Sequence, residues 1–454
     1  MNRLDRTFSL TERGTTLRRE LLAGVTTFLT MAYIIVVNPQ FLNAFGAAPE
    51  IGWPVSAGVT ATCLASGLMS ILMGALANYP IALASGMGLN AIALSLAYTL
   101  GGFGAAMGVF VIEGLVITIL VLTRVREKVM HAIPMPLKHA IAVGIGLFLT
   151  VMGLQNGGII IDDPDTLVSL GNLWSFPVLT VVLGLFVTGV LMARRVKGGI
   201  LIGILFTTVL AAVANYIAGP GELGFPPGTA LLPDRVLAAP DFSTFAAVEF
   251  QPIFSTLGIL GGVLTIFSVM LTDFFDTMGS IVAIGEKAGF MKPDGSISRL
   301  RRILFVDSLA AAFGGLAGAS SVTTYIESAS GVASGGRSGL TPITVGVLFL
   351  AAVFFHPVVA VIPPQATAPA LIIVGFLMAS LITKIDFNEW DTALPAFLTI
   401  IVMPLAYSIT DGIGVGFMTF TFLKMFQGRF KEVHPLMYVV TAGFIVYFVA
   451  PLLI

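Results

Sequence analysis

The sequence predicts an all-α polytopic membrane protein built as two inverted seven-segment halves, with two segments interrupted inside the bilayer. Three observations predict it. First, 56% of the 454 residues are hydrophobic and only 10% are charged, against about 25% charged in a soluble domain. The apolar runs fill the whole chain rather than forming one anchor. Second, those runs alternate with basic residues in a way that assigns sides of a membrane. Third, one segment in each half is too short to cross alone and opens on a piece rich in Ser, Thr or Gly.

The same composition excludes a disordered chain, a coiled coil and a disulfide scaffold. The single cysteine, Cys63, leaves the redox compartment open. A net charge of −1 gives no support for a nucleic-acid partner. Outer-membrane barrels use short alternating strands, not continuous apolar runs. At roughly 20 residues per helical span, the length accommodates about a dozen or more crossings.

Residues 1–18 are polar and basic, with Arg3, Arg6, Arg13 and Arg18, and Arg19 directly after them. No cleavage site follows the first apolar run, which is therefore a retained helix. Spans are expected at 19–42, 56–78, 87–100, 104–123, 136–157, 173–193 and 198–218. After a polar stretch, 219–250, they resume at 253–283, 301–319, 326–334, 341–361, 366–383, 392–408, 411–427 and 434–454. With the N-terminus in the cytoplasm, all 23 Lys and Arg residues except Arg235 fall inside. Among them are Arg124, Arg126, Lys128, Lys287 and Lys292. The loop holding Asp162, Asp163 and Asp165 falls outside without a base. This is the asymmetry of the positive-inside rule, and it requires 87–100 and 326–334 to count as crossings.

Those two segments carry the most information. The first is Tyr79-Pro80-Ile-Ala-Leu-Ala-Ser85-Gly86-Met-Gly88-Leu-Asn90, the second Ala319-Ser320-Ser321-Val-Thr323-Thr324-Tyr325-Ile-Glu327-Ser328. Each pairs an extended-looking piece with a short helical piece, and each is the third segment of its half. Seven segments precede the polar stretch, so the second half starts on the opposite side: an inverted repeat, whose interrupted segments point to the binding site. Non-helical backbone is tolerated in a bilayer only where it is buried or lines a cavity. A half-helix starting there aims free N–H groups and a positive dipole end at what sits beside it.

Charged residues inside spans are rare and functional by default. Asp273 and Asp276 are three apart, on one helix face. Glu327 opens the second half-helix, either capping it or also accepting hydrogen bonds from a ligand. Asn90 opens the first and offers a donor and an acceptor. Glu113 faces either the polar core or a buried Ser or Thr. Asp307 is expected to pair with Arg301 or Arg302, and Asp411 to sit in a turn. Gln155 and Asn156, near the outer face, are candidates for a gate. Three acids with no intramembrane Lys or Arg suit a proton-coupled carrier. Ionised carboxylates select ligands with N–H donors, and Phe28, Tyr33, Phe274, Phe275 and Tyr325 could stack on a flat ring.

Other chemistries lack their residues. There is no HExxH, Walker A or Gly-x-Ser-x-Gly motif, and His131, His139, His356 and His434 are scattered, so no metal or cofactor is expected. The run from Gly331 to Thr341 looks like a phosphate loop but follows a half-helix, and reads as a tight turn on the cytoplasmic side. Asp273 and Asp276 share one helix, unlike an aspartic-protease dyad. A channel would lack saturable uptake.

Several stretches are familiar. The opening run from Thr11 to Thr16, with Glu20-Leu-Leu-Ala-Gly24 through Asn38-Pro39, resembles that of the AzgA-like purine permeases of the nucleobase–cation symporter-2 group. So do Gly86-Met-Gly88-Leu-Asn90-Ala, Asp273-Phe-Phe-Asp276-Thr-Met-Gly279, and Ser320-Ser-Val-Thr323-Thr-Tyr-Ile-Glu327-Ser. The resemblance spans about residues 11 to 425 in order. It implies the fourteen-segment fold of uracil and sulfate transporters, divided into a core (19–123 and 253–361) and a gate (136–218 and 366–427). The connector 219–250 would then be extracytoplasmic, and 434–454 an extra apolar helix. The resemblance implies adenine, hypoxanthine or guanine as substrate, imported with a proton through the inner membrane by an inserted, multi-pass protein. It also implies a homodimer. Carried over by motif, Asn90, Asp273 and Glu327 would contact the purine, with Gly88, Thr324, Tyr325 and Phe275 beside them. Asp276, Asp273, Glu327 and Glu113 would serve proton coupling. Another nucleobase (uracil or xanthine) or a small anion on the same fold is the alternative; the acids disfavour the anion.

Overall fold

A computed structural model describes residues 3–123, 133–219, 222–226, 228–290 and 297–449. The expected inward bases Arg124, Arg126, Lys128 and Lys292, the side chains of Arg3, Arg6 and Lys287, His131, and residues 450–454 lie outside the described residues. A short α1 (Arg3–Phe8) precedes α2 (Leu17–Met31) and α3 (Ile34–Leu42), which a turn at Ala32 and Tyr33 separates. Then come α4 (Val55–Leu72), β1 (Leu83–Ser85), α5 (Met87–Leu100), α6 (Phe103–Leu122) and α7 (Met135–Asn156). A hairpin of β2 (Ile160–Asp163) and β3 (Leu167–Leu170) leads to α8 (Phe176–Ala193) and α9 (Gly199–Ala218).

The second half holds α10 (Gln251–Ala288), α11 (Leu300–Ala317), β4 (Val322–Thr324), α12 (Ser328–Ala333), α13 (Leu340–Ala352) and a short α14 (His356–Ala360). It closes with α15 (Pro364–Ala379), α16 (Trp390–Leu405), α17 (Ile409–Phe426) and α18 (Pro435–Val449). Nine helices among the described residues are long and apolar enough to cross a membrane. Met87–Leu100, Trp390–Leu405 and Pro435–Val449 are shorter apolar helices.

Local chemistry sets many boundaries. Thr16 caps α2 by accepting the Arg19 N–H, and Ser408 caps α17 by accepting that of Asp411, each satisfying an otherwise orphaned donor. Asp411 thus lies in the first helical turn rather than in a loop turn, where its charge suits the positive helix end. Helices α7, α8 and α15 carry proline in their first turn, where no N–H is missed. Gly101, at φ 83°, ends α5 in the left-handed region.

The helices pack in two groups. Helices α2 to α6 pack with α10 to α13; α7 to α9 pack with α15 to α17. Contacts between the groups are sparse and involve α2 with α9, α3 with α15, α5 with α7, and α10 with α7 and α17. Helix α18 lies against both α17 and α10.

The run from Gly331 to Thr341 forms the end of α12, a turn and the start of α13. Its resemblance to a phosphate loop has a physical basis. The N–H groups of Arg337 and Ser338 and the Thr341 hydroxyl donate to the Glu20 carboxylate at 2.7, 3.2 and 2.6 Å. The loop cradles a carboxylate that belongs to α2.

Candidate functional site

The site is built where the two interrupted segments meet. Strands β1 and β4 are antiparallel, with Leu83 opposite Thr324, Ala84 opposite Thr323 and Ser85 opposite Val322. Each segment thereby supplies the backbone partners that the other needs in a buried setting. The pairing extends outward: Gly86 N–H donates to Ser321 at 3.1 Å, and Tyr325 N–H to Ala82 at 3.0 Å. Side chains complete it. Ser70 exchanges hydrogen bonds with both backbone groups of Leu83, and Ser328 accepts from Ala82 N–H at 3.0 Å. The buried Asn38 amide donates to Thr62, Ser85 and the Ala319 carbonyl at 2.9, 3.1 and 3.1 Å.

A cavity of about 80 Å³ sits against this crossing. Met87 and Gly88 line it from the first turn of α5, and Thr324, Tyr325, Ile326 and Glu327 from the segment entering α12. Asp276 and Ser280 contribute from α10, and Tyr33 from the turn after α2. The remaining wall, Val374 and Met378, comes from α15 in the other helix group. The cavity therefore straddles the seam between the two groups.

Two carboxylates, Asp276 and Glu327, face it, and among the described residues that line it none is a Lys, Arg or His. Glu327 occupies the cap position of α12 but makes no capping bond to that helix. Instead its carboxylate accepts a 2.8 Å hydrogen bond from the Tyr33 hydroxyl. The Tyr325 hydroxyl is committed to the Ser85 carbonyl at 2.6 Å, and Thr324 donates to the Thr277 carbonyl at 3.4 Å.

Of the residues singled out in the sequence, Glu327, Asp276, Gly88, Thr324, Tyr325 and Tyr33 converge here. Asn90, Asp273, Phe275 and Glu113 are not among the lining residues. Asn90 is fully buried in α5, its amide oxygen accepting from Ser320. Asp273 and Glu113 are fully buried and engaged within the protein. Phe275 is half-buried, with the Lys138 ammonium 5.7 Å from its ring centre, a contact between α10 and α7.

Asp307 departs from expectation. It does not meet Arg301 or Arg302, which are six and five residues earlier and so lie off its helix face; Arg301 donates to the Leu122 carbonyl at 3.5 Å. Asp307 is fully buried and accepts from the Thr277 hydroxyl at 2.9 and 3.0 Å, from Thr323 at 3.3 Å and from Thr324 N–H at 3.3 Å. It braces β4 against α10 from behind the cavity. The residues that sequence reasoning missed include Ser280, one helical turn from Asp276. That spacing is a signal that was present. Val374 and Met378, in an apolar helix, carry none.

The comparisons with known proteins decide the family. The profile of a family described as a permease family matches residues 18–415. This chain belongs to that permease family. It is 43% identical to the guanine/hypoxanthine permease PbuG of Bacillus subtilis, over 97% of this chain and 98% of that one. It is 40% identical to the adenine permease AdeP of Escherichia coli, over 97% and 95%. It is 42% identical to the putative permease MJ0326 of Methanocaldococcus jannaschii, over 99% of both. Among solved structures, the permease resembles the transmembrane domain of the cyanobacterial bicarbonate transporter BicA, with a TM-score of 0.60 at 16% identity, covering 87% of this chain and 97% of that one. That likeness concerns the fold, the inverted seven-plus-seven arrangement. The permease is a multi-pass membrane transport protein and not an enzyme.

Proposed function

We propose that this permease is a secondary transporter importing purine nucleobases — adenine, hypoxanthine and guanine — by proton symport. One observation carries the reading: a cavity at the paired half-helices holds two carboxylates without a neutralising cation and spans the seam between two helix groups. The names of its relatives, guanine/hypoxanthine and adenine permeases, favour purines as the cargo.

The chemistry follows from the side chains. An ionised carboxylate only accepts hydrogen bonds, so it selects a ligand that presents N–H groups; purines present ring N–H and, in adenine and guanine, exocyclic amino groups. Glu327, oriented by Tyr33, takes the base edge, with Gly88, Thr324 and Tyr325 forming the floor. Asp276, on a separate helix, takes the proton from outside and releases it inside. Asn90 and Asp273 support the half-helices from behind, and Phe275 with Lys138 closes the seam.

The two groups supply the motion. Residues 19–123 and 253–361 form the core that carries the cavity; 136–218 and 366–427 form the gate it moves against. Met378 and Val374 belong to the gate side, so a shift of the core changes which water the cavity meets. The N-terminus is cytoplasmic, the connector 219–250 is extracytoplasmic, fourteen segments lie in the inner membrane with α18 as an extra apolar helix, and two copies form a homodimer.

The test is uptake by proteoliposomes. Adenine, guanine, hypoxanthine, xanthine and uracil are offered with an inward proton gradient, and binding is read in parallel by thermal shift at pH 6 and pH 8, because a ligand of the folded state raises its stability. Stabilisation by purines that vanishes in Glu327→Gln, and gradient-driven accumulation that vanishes in Asp276→Asn, support the proposal. Folded protein that binds none of the five bases overturns it.

A further inference from the structure

A second cavity, of about 230 Å³, opens on the face that carries the N-terminal segment. Ser9, Glu12 and Arg13 line it from that segment, Tyr79 from the turn after α4, and Phe290, Ser298 and Arg299 from the junction of α10 and α11. It lies apart from the transport cavity, and the transport reading leaves these residues without a task.

Its chemistry is one-sided. The Arg13 guanidinium donates to the carbonyls of Asn78 at 2.9 Å and Arg337 at 2.7 Å, and lies 5.3 Å over the Phe290 ring. Arg299 donates to the Ala77 carbonyl at 3.2 Å. Two cations are thus pinned to adjacent peptide groups of one turn. Burial, and then the nearby charge of Arg299, pushes the Arg13 pKa down from its usual range. Glu12 is the one acid among the described lining residues, and it is exposed to solvent.

Tyr79 adds an independent observation. It is 1% exposed, and its hydroxyl has no hydrogen-bond partner among the described residues. Buried polar groups in native proteins are nearly always matched. The lining therefore offers two guanidinium forks, a buried phenol and the hydroxyls of Ser9 and Ser298. These donors match a ligand whose oxygens are all acceptors.

We propose that this cavity is a binding site for a phosphate group, carried by a small phosphorylated molecule or by a lipid headgroup. The phosphate bridges Arg13 and Arg299, satisfies the Tyr79 hydroxyl and relieves the repulsion between the two cations. Because Arg13 belongs to the N-terminal segment and Arg299 to the start of α11, an occupied site fastens that segment to the core.

The experiment uses the full chain in phosphatidylcholine nanodiscs. Thermal stability is followed while sodium phosphate or sodium chloride is added at matched ionic strength. Saturable stabilisation by phosphate beyond chloride is expected. Its apparent affinity should fall at least tenfold in Arg299→Asn, a change suited to the left-handed φ of 61° there, and severalfold in Tyr79→Phe. Nanodiscs containing phosphatidic acid, without free phosphate, form the second arm. Stabilisation confined to that arm and lost in Arg299→Asn supports the site with a lipid as its source. Should Arg299→Asn fail to fold, Tyr79→Phe, which removes a single oxygen, carries the test. Equal shifts with phosphate and chloride and none with phosphatidic acid, or responses untouched in the variants, overturn the proposal.

Discussion

The hydroxyl of Tyr33 stands 2.8 Å from the carboxylate of Glu327, joining the break between α2 and α3 to the start of α12. A hydrogen bond to a charged group contributes about 1.5–3 kcal/mol. Tyr33→Phe keeps the ring and removes the bond. Purine binding is expected to weaken about tenfold or more, and the unliganded protein to melt at a lower temperature, since the bond is made without ligand. Calorimetric titration of both forms checks this, and wild-type affinity in the variant would detach the pair from the site.

Gly88 of α5 packs against Ile145 of α7. A Cβ there would stand 2.9 Å from Cγ2 of Ile145, so a larger residue wedges the seam. Gly88→Val is expected to cut uptake at least tenfold while the protein still inserts and folds. Ile145→Ala in the same chain should restore part of the rate, since it clears the space. Failure of that second change to help would show that Gly88 serves backbone shape rather than clearance.

Asp307 is a bracing group with its donors on α10 and β4. Asp307→Asn turns one acceptor into a donor facing the Thr277 hydroxyl and its neighbours, which costs about 1–3 kcal/mol. A lower denaturation midpoint follows. Combining it with Thr277→Val should give less than the sum of the two losses, because both act on one network. Simple additivity would count against the network.

A charged cluster ties the segment before α18 to α16 and α17. Lys424 and Arg429 both hold Glu432, at 2.9 and 2.6 Å, and both also meet Asp391. Hydrogen bonds from Lys424 and then Arg429 hold the Glu432 carboxyl below the ordinary glutamate range. A folded-state value below the unfolded one contributes stability that is complete above the unfolded value of about 4.3. It is lost as pH falls through the folded value. Protease sensitivity of the 427–434 stretch should therefore stay flat from pH 8 to about 5 and rise below about 4. In Glu432→Gln the rise should be smaller.

Much of the fold was legible because local rules and the bilayer push the same way. The segment expected at 87–100 is a helix over Met87–Leu100. The Ser-, Thr- and Gly-rich pieces before the half-helices are extended and pair with each other as strands, which satisfies their backbone groups in a buried setting. The site was legible only in part. Asp276 and Glu327 announce themselves as acids in apolar runs. The true environment of Asp307 depends on Thr277, thirty positions away, and on β4, contacts that no local pattern encodes. Asn90 opens the right half-helix, yet its amide oxygen accepts from Ser320 and the side chain does not line the cavity, because the register of the strands decides which residues face it.

The β1–β4 pairing makes each half of the chain the template for the other. Leu83 to Ser85 find their strand partner in Val322 to Thr324, contributed from the far side of the connector. Two polypeptides cut within 231–243 would each carry half of a two-stranded sheet. Produced separately they would have no floor for the cavity, and produced together they could rebuild it, so the permease behaves as a heterodimer of its own repeats held in one gene product.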